Sequence, residues 1–490
     1  MPTPSTPSST SAAVPILSRA DHAPPLHGVR LPTPRLGWPL VQALRRDPLG
    51  TWRDIHRAGD VVQARVLGRE FHFVFHPAMV RAALADQDEA ISKEEQQIRV
   101  FQIGQGLNVL TSEGADWKRQ RRILNPAFSA RKVAGYMALM TQALAQVNAE
   151  SLPVGPGHSV QVDAHAYTAR LTMDVILRVL FGERMDPGRL QAVSDAIHQL
   201  EVQGMRMIFW PWIPPDWMPY PGRRATWAAR DLLRQLVRGH IESRRALGGT
   251  PEAGRTDLLH MMLQAQDEVP APDKDRHLSP GEVEDNCLAL FLAGYDTSAT
   301  ALTWWMGFMA EHPEAAERAR DEVRAAWGLQ GLPVAPAPEH LSRMPWLEAT
   351  LKETLRLRPP IPAPFMRQVR RDVNLLGYRV PAGDCISLPV WEVQRDARWF
   401  PEPLAFRPER FMPGAPEIPR GAWLPFGSGP HVCLGQHFAM VEMQLIAAAL
   451  LAGYRWRLPA GRVLPAPRLD IVLKPETLLQ LDVEALAAPG

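Results

Sequence analysis

Apolar and polar positions divide the chain into three unlike stretches. In "GDVVQARVLGREFHFVFH" (59–76), β-branched and aromatic residues are interrupted at Gly68, which predicts a hairpin. From Asp116 to about Gln330 the apolar spacing is helical. The clearest helix opens at "SPGE", with Ser279 as N-cap, Pro280 in the first turn and Glu282 completing a capping box. Nothing breaks it before His312-Pro313, so a helix of about 32 residues and roughly 48 Å is expected. Its middle, "CLALFLAGYDTSATALTWW", is largely apolar on every side, as suits a helix inside a core. The polar Asp296 and Thr297 there need a reason. "FWPWIPPDWMPYPG" (209–222) holds too many prolines for a continuous helix. Beyond about residue 360, the strand-like runs "VNLLGYRV" and "CISLPV" alternate with turns. A last helix follows Cys433, and "DIVLKP" and "LLQLDV" close the chain. The pattern predicts a mainly α protein with small β-sheets, without repeats or an obvious linker. It forms one domain over 26–490 behind a disordered Ser/Thr/Pro-rich tail at 1–25.

Composition narrows the class. The chain has 490 residues, 46% hydrophobic and 22% charged, with a formal net charge of +2. That balance makes no case for nucleic-acid binding. Its three cysteines, Cys287, Cys385 and Cys433, are far apart and fit neither a zinc spacing nor a disulfide framework. The longest apolar runs, such as "LIAAALLAGY", fall short of the roughly 20 residues of a transmembrane anchor. No signal-peptide pattern opens the chain. A reducing, cytoplasmic setting is expected.

Candidate chemistry gathers at "LPFGSGPHVCLGQHF" (424–438). Here Cys433 lies in a glycine-rich loop just before a helix, where unpaired N–H groups and the positive dipole end favour a thiolate. Gly429 and Gly435 allow close approach of a flat ligand. Sulfur held this way suits iron. Elsewhere, Glu353 and Arg356 lie three apart on one helix face. Gly294 thins the long helix, and the Thr297 hydroxyl can bond back to the Ala293 carbonyl, leaving room for water or dioxygen.

Phe426, Gly429, His431, Cys433 and Gly435 resemble the haem-binding loop of the cytochrome P450 monooxygenases, where arginine is common at the place of His431. The resemblance spans roughly residues 40–485 and keeps the family order: Trp117, Thr297, Glu353, Arg367, Arg410, Cys433. It implies a single-domain haem fold around a long central helix, with Cys433 as axial ligand of heme b. It further implies that Trp117, Arg121, Arg367 and His431 bind haem propionates. Asp296 and Thr297 form the acid–alcohol pair that handles oxygen and protons, and Glu353, Arg356 and Arg410 form a buried structural triad.

The expected activity is hydroxylation of an apolar, fatty-acid-like or terpenoid/carotenoid-like substrate. It uses O2 and two electrons from a separate ferredoxin or flavodoxin with its reductase. A haem-thiolate isomerase or peroxygenase is the rival enzyme, and a haem sensor the non-enzymatic one; the Asp296–Thr297 pair speaks against both. The substrate pocket is expected from 103–111, Leu290, Ala293, "PPIPAPF" and "ETLLQL". Trp210 and Trp212 are candidates for its entrance. Lys118 and Arg122, about 100° round the helix from Trp117 and Arg121, are expected with Arg119 to form an exposed basic patch for an acidic electron donor.

Overall fold

The computed structural model describes residues 28–85, 90–153, 155–184, 186–210, 212–215, 217–246, 257–267, 276–328 and 337–486; the tail at 1–25 lies outside them. The hairpin forms as expected. Val61–Val66 and Arg69–Val74 pair antiparallel, joined through Leu67 (φ 50°) and Gly68 (φ 85°). These strands belong to a six-stranded sheet that ends in Cys385–Ser387, Arg367–Val369 and Ile91–Lys93. Its register sets Lys93 opposite Arg367. Directly opposed residues project to the same face of the sheet, so this pairing brings two distant cations together.

Helices form most of the rest. The helix Pro280–Glu311 runs 32 residues from the expected capping box. It packs along Ala164–Phe181, where Thr168 and Thr172 hydroxyls donate to the Ala299 and Tyr295 carbonyls at 3.0 Å each. A Cβ on Gly294 would lie 3.0 Å from Ile176 Cδ1. The thinning at Gly294 therefore serves this helix contact as well as open space. Trp304 and Trp305 are wholly buried, their indole N–H groups donating to the Leu473 carbonyl and Thr350 Oγ1. Each such apolar burial stabilises the fold by roughly 1.5–3 kcal/mol before entropic costs.

Several shorter elements differ from the sequence reading. Ser159–Asp163, inside the stretch read as helical, is a strand against Gln480–Ala485. Only tertiary pairing makes it one. "VNLLGYRV" folds as the hairpin Val373–Leu375/Tyr378–Val380, and "CISLPV" as the strand Cys385–Ser387 and a short helix, Val390–Val393. The helix after Cys433, Gln436–Gly453, is long and apolar enough to cross a membrane by length and composition, but most of it is buried in the core.

Candidate active site

Cys433 projects from a loop shaped by its own backbone. Its N–H donates to the Phe426 carbonyl at 2.9 Å, and the Val432 N–H donates to the Gly429 carbonyl at 3.1 Å. Gly427 and Gly429 both hold φ at 73°, a left-handed turn that side chains resist. At Gly429 a Cβ would also fall 2.1 Å from the Leu84 carbonyl oxygen. The expected reason for Gly429, room for a flat ligand, is thus corrected: the neighbouring backbone excludes a side chain there. Gly435, at φ −89°, is different: a Cβ there would meet no atom within 4 Å.

The Cys433 side chain is exposed, and it opens onto a cavity of about 700 Å³. Burial raises its thiol, while the Gly435 N–H and the Arg121 charge pull the other way. Trp117, Arg121, Arg367, Phe426, His431 and Gly435 line the same cavity. His431 stacks on Trp117 with ring centroids 3.9 Å apart. Lys93, which motif reading missed, joins them. Its ammonium donates to the Leu110 and Ser112 carbonyls at 2.7 and 2.9 Å, with Glu113 at 3.3 Å.

This corner is electrostatically unbalanced. Burial, and then Arg367 and Arg121, lower Lys93 to about 8 despite Glu113. Burial alone dominates at Arg367, which falls to about 10. Burial followed by Lys93, Arg367 and Arg121 drives His431 down to about 3. Buried cations repelling one another around open space call for an anion. The carboxylates of haem are anions of that kind, and a sulfur on the same cavity suits its iron. The residues present fit the group.

The central helix contributes a wall of the cavity with Leu290, Ala293 and Thr297. The Thr297 hydroxyl donates to the Ala293 carbonyl at 2.7 Å, the back-bond expected from sequence. Asp296, nearly wholly buried, is held by Lys474 at 3.1 Å. Ser298 donates to Glu442 Oε2 at 2.7 Å, tying this helix to the one that follows Cys433. Burial holds Glu442 up to about 8.

Glu353 and Arg356 form a fully buried bidentate pair at 2.7 and 2.8 Å. Arg356 donates further to the Gln394, Pro403 and Ala405 carbonyls, and Arg410 Nε approaches Glu353 at 3.4 Å.

Two sequence expectations are corrected. The basic patch is reduced: Lys118 and Arg122 are exposed as expected, but Arg122 forms a bidentate pair with Asp267 at 2.8 and 2.7 Å, and Arg119 is buried against Glu282. Lys118 also has a partner. Those acids come from far along the chain. The C-terminal wall is formed by 469–472, whereas Leu479 and Leu481 of "ETLLQL" enter the core. The tryptophans divide: Trp210 lines the cavity, whereas Trp212 is 52% exposed. Sequence reading also missed the lining by Phe71, Phe73 and Leu200.

The sequence profile of Cytochrome P450 matches residues 32–483. The chain belongs to the cytochrome P450 family. Its similarity to curated relatives spans most of both chains. A putative cytochrome P450 132 of Mycobacterium tuberculosis is 28% identical over 83% of this chain and 86% of its own. Cyclooctatin synthase of Streptomyces melanosporofaciens is 29% identical over 90% and 92%. The cyclooctat-9-en-7-ol 5-monooxygenase of the same organism is 31% identical over 85% and 86%. As a cytochrome P450, this protein is a haem-binding oxidoreductase of the monooxygenase type.

Proposed function

We propose that this cytochrome P450 carries heme b and inserts one oxygen atom from O2 into an apolar substrate, with two electrons from a separate ferredoxin or flavodoxin. The observation that carries this reading is one cavity lined by the Cys433 sulfur, the Ala293–Thr297 turn and a corner of buried cations. When bound, the haem would supply dioxygen activation, with a thiolate ligand favouring O–O cleavage. Cys433 would hold the iron, with the Gly435 N–H tempering the sulfur's charge. Lys93, Arg121, Arg367, Trp117 and His431 would hold the propionates. Thr297 keeps its hydroxyl at the cavity through the Ala293 bond and would orient a proton there, and Asp296 would supply it.

Phe71, Val100, Leu200, Leu290 and Ile361 make the walls chiefly apolar, which excludes water and supports a fatty-acid-like or terpenoid/carotenoid-like substrate. One relative is named for oxygenating an unsaturated alcohol, cyclooctat-9-en-7-ol. Three unpaired cysteines agree with a cytoplasmic setting. Turnover with NADH, a surrogate ferredoxin and its reductase, run under labelled O2, tests the reading. One labelled atom in the product is expected. Product formed only from peroxide overturns it in favour of a peroxygenase, and a reduced carbon-monoxide band unchanged in Cys433→Ser overturns the thiolate assignment.

A further inference from the structure

Next to Thr297 lies a buried cluster that no motif marks. Lys474 Nζ is 2.9 Å from Glu201 Oε2 and 3.1 Å from Asp296 Oδ2. The three residues come from three elements: Glu201 from the helix Pro187–Ile208, Asp296 from the central helix, and Lys474 from the strand Leu473–Pro475. Glu201 and Asp296 thus meet at one ammonium as ion-pair partners. Two ionised carboxylates against a single ammonium in a buried site leave one negative charge uncompensated, which favours a proton on one of the pair.

Among the described residues, the other groups around the cluster supply no second cation. His165, packed near Asp296 and Lys474 and close to Asp163, is lowered chiefly by burial. Tyr295 is pushed up to about 12 by burial and by Asp296, and stays neutral. Lys474 stays charged, because the two acids outweigh the effect of its burial. Burial first, and Asp296 next, hold Glu201 up to about 9.

We propose that Glu201 is the proton store of this site, holding a proton at neutral pH and passing it through Asp296 to the cavity beside Thr297. The Glu201 O–H bond breaks as the Asp296 O–H bond forms. Asp296 then releases that proton into the cavity and returns to a carboxylate. Glu201 also lines the cavity, where its side chain is 12% exposed against 4% for Asp296, and takes its replacement from water there. Lys474 keeps its charge throughout and holds the two acids in register. Glu201 thereby acts through Asp296 as a positioning and proton-holding residue. The proposal rests on the monooxygenase reading only for where the proton goes; the stored proton itself can be observed in the resting protein.

The test compares wild type with Glu201→Gln, which keeps the shape and neutrality of the protonated side chain. Infrared spectra of the resting holoprotein should show a carboxylic-acid band at pH 7 that disappears in Glu201→Gln and, in wild type, fades as pH rises through about 9. Glu442, another buried acid pushed up by burial, is accounted for by measuring both proteins in a Glu442→Gln background. In turnover, Glu201→Gln should send several-fold more NADH to peroxide, increase the solvent deuterium isotope effect and lose the wild type's alkaline fall in coupling. No acid band titrating near pH 9 in the Glu442→Gln protein overturns the proposal even if Glu201→Gln does not fold and whatever the substrate chemistry proves to be. Coupling identical to wild type across the pH range overturns it as well, leaving Glu201 as a structural ion-pair partner. Failure to turn over any substrate, with the band present, would count against the monooxygenase reading and leave the stored proton standing.

Discussion

Two buried groups of charge lie in this molecule, and they are finished to different degrees. Around Glu353, Arg356 is matched by a bidentate carboxylate and three backbone carbonyls, and the Arg407 N–H supplies Glu353 with another donor at 2.8 Å. Around the cavity, Lys93, Arg121, Arg367 and His431 face one another, with Glu113 as the acid at hand. Both groups are desolvated. The first is compensated throughout by the protein itself, the second only in part, by Glu113 and backbone carbonyls. The contrast separates charge that holds the fold together from charge kept ready for a ligand, and it gives each cluster a different sign on perturbation.

The largest effect should come from Arg356→Ala. It leaves Glu353 without its bidentate partner in the core and strips three carbonyls of donors. A loss of roughly 3–5 kcal/mol is expected, much of the stability of a typical domain. Soluble yield and thermal denaturation measure it, with and without bound haem. A variant with near wild-type melting would show that the pair is not structural.

Lys93→Met should act with the opposite sign on the haem-free protein. The Lys93 pKa falls from 10.5 to about 8 on folding, so between those values the unfolded chain binds more protons than the folded one. Stability of the haem-free form therefore rises as pH increases from about 8 to 10.5, by at most about 3 kcal/mol. Lys93→Met should flatten that rise and raise the haem-free melting temperature at pH 7, while weakening haem retention several-fold. Destabilisation of the haem-free protein at pH 7 would place Lys93 with the finished cluster instead.

How much of this was legible in the sequence follows from distance along the chain. The Cys433 loop could be read because its turn, sulfur and helix start are contiguous, and the central helix because its cap and breaker are local. Glu353 and Arg356 are one helical turn apart. Lys93 was missed because only sheet register sets it opposite Arg367. Arg119 was misread as exposed, and Arg122 as available for a partner, because Glu282 and Asp267 reach them from remote segments. The Glu201–Lys474–Asp296 cluster draws on three elements, and periodicity carries no signal for such a meeting. Local chemistry was visible; the pairing of charges across the fold was not.

The smallest expected effect tests how evenly the finished cluster shares its work. Arg410 Nε approaches Glu353 at a long 3.4 Å, and its Nη2 donates to the Pro401 carbonyl and, at 2.9 Å, to the Glu402 carbonyl. Removing it leaves Glu353 still paired with Arg356 and the Arg407 N–H, so no charge is stranded. The carbonyls it serves lie at an exposed turn where water can replace it. Arg410→Ala should therefore cost about 1 kcal/mol, the scale of a hydrogen bond whose acceptor regains solvent. Haem retention and the reduced carbon-monoxide band should not change. Denaturant unfolding beside Arg356→Ala makes the comparison. Equal losses in the two variants would mean that the cluster acts as one indivisible unit, and a loss of haem in Arg410→Ala would join the cluster to the cavity after all.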